Sequence, residues 1–176
     1  MWCSVSGRVY IGIDPDTNGA MAVITEEGDF LEVFDADEED GWEYLRRNRL
    51  VIALVTIEEQ QAMNDPSPSR FGKLMRRFGQ WEGAVIFAKI PMVLVKAKDW
   101  QAGIQGAAVS RAKKGQKRSA AAKAHLRKKR KEAICRYAQR RWPGATLLGP
   151  RGGILDGRSD ALCIADYGRR THGGQN

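Results

Sequence analysis

The segment RVYIGIDPDTNGAMAVITEEGDFLEVF, residues 8–34, contains three short apolar runs separated by turn-forming residues. The runs Arg8–Asp14, Ala20–Thr25 and Phe30–Phe34 have the length and composition of β-strands. The first run ends at Asp14, directly before Pro15, and a residue before a proline avoids helical backbone angles. The pattern predicts a meander of three antiparallel strands at the start of the domain.

Two further apolar runs predict the rest of the sheet. Leu50–Ile57 is rich in Val, Ile and Leu, which is typical of a buried central strand. Ile90–Val95 indicates a fifth strand. We therefore expect a single α/β domain over residues 1–176, with a five-stranded mixed sheet (the three-strand meander plus two further strands) flanked by helices.

Helix-start residues and apolar periodicity place three main helices. Ser69 can cap a helix from about Arg70 to Phe87, and Ser119 can cap a long helix over about 120–141. A last helix is predicted over 157–170. The inward stripe expected for the first of these helices consists of Phe71, Leu74, Met75, Phe78, Ala84 and Val85.

Positive charge is concentrated in one part of the chain. The net charge is +8, but residues 96–141 carry 16 Lys and Arg against two acidic residues, a net of +14. A segment this basic binds polyanions by releasing condensed counterions. The alternative is a solvated helix face. Residues 101–118 are predicted to form a basic mobile loop, and 171–176 a frayed tail.

No apolar stretch approaches the roughly 20 residues that a membrane span needs. The N-terminus lacks a basic region followed by a long apolar one, so it does not resemble a signal peptide. We expect a cytoplasmic protein without a membrane partner.

Four carboxylates follow the predicted elements at three places. Asp14 ends the first strand, Glu58 ends the fourth, and Asp156 and Asp160 lie four residues apart on one helical face. A carboxylate that leaves a buried strand is costly unless it is paired or bound to a cation, which favours a site role for Glu58. Glu59 would point to the opposite face. Turn and helix-cap roles are the alternative for each residue taken singly.

Together the four carboxylates are typical of phosphodiester hydrolysis assisted by divalent cations. Two such cations, held by oxygen ligands, activate water and stabilise the leaving oxygen of an in-line displacement at phosphorus. Magnesium prefers oxygen ligands and keeps several waters, so three or four carboxylates suffice. We expect two Mg²⁺ per active site, with Mn²⁺ as a substitute, and DNA as the substrate.

At these residues the chain resembles the RuvC-type Holliday junction resolvases of the RNase H-like (retroviral-integrase) superfamily, most closely the forms of bacteriophages and prophages. Five matching segments occur in the family's order and cover most of residues 8–170. They are IGIDPDTNGAMAVI (11–24), VTIEEQQAM (55–63), FGKLMRRFGQWEGAV (71–85), IPMVLVKAKDW (90–100) and DGRSDALCIADYGRR (156–170).

The resemblance implies an RNase H-like nuclease domain and a homodimer with two active sites. Each site would nick one of two opposed strands at a four-way or branched DNA junction, so the chain would be a magnesium-dependent crossover junction endonuclease. Asp14, Glu58 and Asp160 would be catalytic metal ligands, with Asp156 as the fourth. A phage-encoded member would act in the cytoplasm of its bacterial host.

The chain departs from the family pattern at several positions. Asp16 stands where the first motif usually has glycine, and Gly157 stands where bacterial members have an acidic or histidine residue. Phage-like members often have His in the place of Asp156, so the resemblance leaves the general base undefined. The family's base-stacking aromatic corresponds to Gln61, and Met63 is a substitute candidate for the junction wedge.

Basic side chains on three segments are the predicted DNA contacts. They would bind phosphates and position the substrate without reading its sequence. They are Arg76, Arg77, Lys113, Lys114, Lys117, Arg118, Arg127, Lys128, Arg130 and Lys131.

Three other functions compete with junction cleavage. A less selective RNase H-like DNA nuclease would use the same carboxylates. A non-catalytic nucleic-acid-binding module would gain nothing from carboxylates that face phosphates. Actin-like ATPases share a first loop similar to GIDPDTNGA, but they need two such domains, so we expect no small-molecule organic cofactor.

Overall fold

The computed structural model describes residues 7–35, 39–60, 68–104, 106 and 119–173. Five strands and five helices make up the described part of the chain. In chain order they are β1 (Val9–Asp14), β2 (Ala20–Thr25), β3 (Phe30–Asp35), α1 (Glu39–Asn48), β4 (Ile52–Glu58), α2 (Pro68–Phe87), β5 (Met92–Val95), α3 (Ala97–Gln101), α4 (Ala120–Arg141) and α5 (Asp156–His172).

The strands form one mixed sheet in the order β3-β2-β1-β4-β5. The short turns of the meander make β1, β2 and β3 antiparallel neighbours. Each later strand follows a helix, and β4 pairs in parallel with β1 and β5 with β4. The predicted five-stranded mixed sheet flanked by helices is confirmed.

Helices cover both faces of the sheet, so the core has two layers. Alternation along β1 sends Ile11 and Ile13 to the face packed by α1 and α2, where Trp81 is buried. Tyr10 points to the opposite face, which α5 and part of α4 cover. No helix among the described residues is long and apolar enough to cross a membrane.

Helix α5 lies unusually close to the centre of the sheet. A Cβ atom at Gly12 of β1 would overlap backbone atoms of Ala161 and Ala165, and one at Gly168 would overlap the side chain of Thr56 in β4. The glycines therefore let the helix backbone approach the strands, and they fix its height and direction across β1 and β4.

The helices agree with the sequence predictions in type and differ in detail. Helix α4 begins after Ser119, whose Oγ accepts a hydrogen bond from the Ala122 N–H, as predicted. Helix α2 begins at Pro68, two residues before its predicted start, and α5 continues to His172. The predicted inward stripe of α2 was wrong at Met75, which is exposed, and it omitted the fully buried Trp81.

Candidate active site

Asp14 and Glu58 lie side by side at the carboxyl ends of the two central strands. β1 and β4 pair in parallel with Ile13 opposite Ile57, so the next residue of each strand reaches the same edge of the sheet. Each carboxylate lies two residues beyond a position that contacts α5. Because side chains alternate along a strand, both carboxylates project onto the face that α5 covers.

The first turn of α5 brings the other two carboxylates to this edge. Asp156 begins the helix and Asp160 follows one turn later. Between them, Gly157 packs on the loop between β1 and β2, where an added Cβ would overlap the Asn18 carbonyl oxygen and lie 2.6 Å from the Gly19 Cα. The loop that follows Asp14 and the start of α5 are therefore in direct backbone contact.

Arg158 holds the same turn of α5 to the edge of the sheet. Its guanidinium donates to both carboxylate oxygens of Asp35, at 2.6 and 2.8 Å, and to the Thr146 carbonyl oxygen at 3.3 Å. Hydrogen bonding from Arg158 lowers the pKa of Asp35. Two-point contacts of this kind fix geometry as well as contributing energy. The sequence analysis did not predict this pair.

Burial and mutual repulsion shape the charge state of the cluster. Asp14 is 8% exposed, and burial, followed by the Glu58 charge, raises its pKa from the usual 3.8 to about 8. Burial and then the charges of Asp14, Glu58 and Asp156 raise the pKa of Asp160. Burial also raises the pKa of Glu58. The structure thus brings all four predicted carboxylates within one electrostatic cluster, which is unfavourable when they are ionised and have no cation.

Several neighbours bind individual carboxylates of the cluster. The backbone N–H of Asp16 donates to Asp14 Oδ1 at 3.1 Å, and the Trp100 indole donates to Glu58 Oε2 at 2.8 Å. The Lys131 ammonium on α4 pairs with Asp156. Asp160 Oδ1 is buried and has no hydrogen-bond partner.

The ligand types fit a hard divalent cation. All four side chains offer oxygen, the donor that Mg²⁺ prefers, and a cation would relieve their repulsion and satisfy the buried Asp160 Oδ1. Within the part of the chain that the structure describes, no three His, Cys, Asp or Glu side chains already converge as a metal-binding group. Asp156 is paired with Lys131 in this arrangement, so cation binding by all four requires that pair to open.

The predicted DNA-contact residues fall into three groups. Arg127 and Lys128 are exposed on the first half of α4, whereas Arg130 and Lys131 are partly buried beside the carboxylates. Arg130 acts electrostatically on Glu58, where it opposes the rise in pKa.

On α2, Arg76 is exposed, and Arg77 donates to the Thr17 carbonyl oxygen at 2.6 Å, in the loop that follows Asp14. The third group lies outside the described residues, as do the two wedge candidates. These residues are Lys113, Lys114, Lys117, Arg118, Gln61 and Met63.

The raised pKa values predict that the metal-free protein loses stability as the pH rises. Unfolded Asp titrates near 3.8 and folded Asp14 near 8, so the folded state binds more protons between these values and stability falls across this range. We expect Tm in EDTA to fall by at least about 5 °C between pH 5 and pH 8, and Mg²⁺ to reverse most of the loss.

Differential scanning calorimetry at both pH values, with EDTA or with Mg²⁺, measures this effect. Asp35 and Glu43 have lowered pKa values, so their contribution to stability changes only below about pH 5, outside the range of this measurement. A Tm in EDTA that is constant or rises from pH 5 to pH 8 would contradict the raised pKa of Asp14 in the folded protein.

Comparison with solved structures identifies the fold. The chain superposes on Thermus thermophilus RuvC in complex with Holliday junction substrate with a TM-score of 0.57 and 19% identity, over 94% of this chain and 96% of that chain. A second Thermus thermophilus RuvC structure gives a TM-score of 0.53 and 19% identity, over 92% and 95% of the two chains. No protein-family model and no curated protein sequence matches the chain.

The fold is therefore RNase H-like, in the arrangement found in RuvC, and the predicted fold class is confirmed. The likeness at this identity concerns the fold. The roles of the four carboxylates stay predictions.

Proposed function

We propose that the chain is a magnesium-dependent endonuclease that cleaves four-way or otherwise branched DNA. The observation that carries the proposal is the cluster of Asp14, Glu58, Asp156 and Asp160 at one edge of the sheet, directly beside the basic helix α4. Acidic residues that repel one another in a partly buried site are unfavourable for folding, and a cation-dependent reaction accounts for them. The similarity to a RuvC that is bound to a Holliday junction supports branched DNA as the substrate class.

Each residue of the site has its own role in this proposal. Bound Mg²⁺ supplies charge neutralisation and water activation during phosphodiester hydrolysis. Asp14 and Glu58, on rigid strand ends, fix the cation position relative to the sheet. Asp160 and Asp156 complete the ligand set from α5. Arg130 and Lys131 place positive charge where the substrate backbone approaches the carboxylates.

The first half of α4 is the proposed phosphate-binding surface. Residues 120–129 are all exposed, and this part of the helix carries Arg127 and Lys128. Substituting both residues by Ala should weaken junction binding and reduce the slope of log K against log salt by about 1 per lost phosphate contact. Fluorescence anisotropy titrations with a labelled junction over a range of salt concentrations give the slope.

The matched control is Arg140→Ala, which removes an exposed positive charge from the other end of the same helix. Its salt slope should stay at the wild-type value. If the control and the double variant change the slope equally per charge, the α4 surface acts only through net charge and is not the interface.

A homodimer is the proposed assembly, because paired nicks on opposed strands need two sites. Helix α2 offers apolar surface for it, since Ile86 is 60% exposed and Phe87 is 90% exposed, and a groove between α1 and α2 adjoins Trp42. Sedimentation velocity measures the assembly state, and a species of single-chain mass at micromolar concentration would remove this part of the proposal.

The decisive experiment compares a labelled four-way junction with a linear duplex of the same sequence, each with Mg²⁺, Mn²⁺ or EDTA. Metal-dependent paired nicks in the junction alone are the expected result. Equal cleavage of both substrates would favour the less selective nuclease. Binding without cleavage under all conditions would favour the non-catalytic module and overturn the proposed role of the carboxylates.

A further inference from the structure

A hydrogen bond joins a buried tryptophan to one carboxylate of the cluster. Trp100 lies in the short helix α3 and is only 2% exposed. Its indole Nε1–H donates to Glu58 Oε2 at 2.8 Å. The two residues are 42 positions apart in the sequence, so this contact forms only when α3 packs beside the end of β4.

The chemistry of the two groups makes this contact directional. An indole N–H can only donate a hydrogen bond, and an ionised carboxylate can only accept one. The ring of Trp100 packs within the hydrophobic cluster on the α5 face of the sheet, so the position of its N–H is fixed by the core. A fixed donor restricts the rotamers of the flexible Glu58 side chain, and Glu58 retains a second oxygen for a cation.

The other buried tryptophans show that this partner is not required for packing. Trp81 is fully buried and its Nε1 has no hydrogen-bond partner. Trp142 is 2% exposed, and its indole donates to the Gly28 carbonyl oxygen at 2.9 Å. A buried indole in this fold can therefore lack a hydrogen-bond partner or donate to the backbone. Trp100 instead donates to a predicted metal ligand.

We propose that Trp100 is a positioning residue of the metal site, whose indole N–H orients Glu58 for cation binding. The inference rests on the proposed function, because it assigns Glu58 to a metal ligand set. Groups that orient a metal ligand from behind typically change metal affinity or activity by about 10- to 100-fold when they are removed. In this role Trp100 acts through Glu58, because an indole N–H is a donor and is not itself a ligand for a cation.

Trp100→Phe tests the proposal, with Trp142→Phe as the matched control. Both changes remove one buried indole donor and keep an aromatic ring in the core, so both should lower Tm. Only Trp100→Phe should weaken Mn²⁺ binding, measured by isothermal titration calorimetry, by about 10-fold or more. The Mg²⁺ concentration for half-maximal junction cleavage should rise in parallel, while Trp142→Phe stays within about twofold of wild type.

The outcomes separate this inference from the proposed function. Wild-type protein that binds no Mn²⁺ would overturn both. Wild-type protein that binds Mn²⁺, with equal affinity in Trp100→Phe, would overturn the positioning role alone.

If Trp100→Phe does not fold, ¹⁵N-indole NMR of the wild-type protein gives the answer. The indole resonance that moves in Glu58→Gln should also move when Mg²⁺ is added, and a resonance that does not respond to Mg²⁺ would overturn the inference.

Discussion

Replacing Asp160 by Asn is expected to reduce junction cleavage by at least ~1,000-fold while leaving junction affinity within about threefold of wild type. Asp160 interacts electrostatically with the other three carboxylates, and its buried Oδ1 has no protein partner. Under the proposed function, an amide at this position removes a negative charge from the ligand set of the cation. Cleavage is measured under single-turnover conditions with Mg²⁺, and affinity is measured in Ca²⁺ or EDTA. Asp14→Asn and Glu58→Gln should behave in the same way.

The same substitution should stabilise the metal-free protein, because it removes one of the mutually repelling charges. The matched control is Asp166→Asn on the same helix. Asp166 is 3% exposed, but it is paired with Arg169 at 2.9 Å and Arg170 at 2.8 Å. The control should lower Tm and keep cleavage, the opposite of Asp160→Asn in both measurements. Retained cleavage in Asp160→Asn would exclude Asp160 from the site.

Gly157→Asp is expected to destabilise the protein by about 2 kcal/mol or more. The substitution introduces a carboxylate at a position where bacterial members of the RuvC-type family, which the sequence resembles, carry an acidic or histidine residue. A side chain at this position would overlap the backbone at Asn18 and Gly19, which cannot move away as a flexible side chain would. The first turn of α5 would shift and displace Asp160. Urea unfolding followed by circular dichroism measures the change in free energy of unfolding.

The double variant Asp156→Asn, Gly157→Asp tests why the fourth carboxylate is at 156 in this chain. It should not regain the cleavage lost in Asp156→Asn, because the close backbone contact at Gly157 excludes a side chain there.

Gly72→Ala is the control for the stability of Gly157→Asp, since an added Cβ at this helical glycine meets no atom within 4 Å and should stabilise slightly. Wild-type stability in Gly157→Asp would show that the contact between α5 and the loop is adjustable.

The elements whose signals are local could be predicted from the sequence. The meander follows from apolar runs separated by turns, and α4 follows from Ser119 and its capping hydrogen bond. The orientation of α2 could not be predicted fully, because apolar residues occur on several of its faces and the phase of its buried stripe is ambiguous. Burial of Trp81 in place of Met75 is decided by packing against α1 and the sheet.

The carboxylates could be proposed as a set because two of them end predicted strands and the four-residue spacing of the other two gives one helical face. Their supporting contacts could not. The Asp35–Arg158 pair spans 123 positions and the Glu58–Trp100 bond spans 42, and no local rule pairs residues at such separations. In the sequence, Gly157 is a departure from the family motif. The tertiary contact with Asn18 explains why this position has no side chain.

The supply of two of the four carboxylates by α5 has a consequence for the timing of activity in the cell. A ribosome synthesises β1 and β4 well before α5, so a nascent chain that still lacks α5 contains only two of the four carboxylates. Docking of α5 fills the hydrophobic layer around Ala161, Leu162 and Ala165 and completes the cluster in the same event. Under the proposed function, a chain can cleave DNA only after α5 has been synthesised and has docked on the sheet.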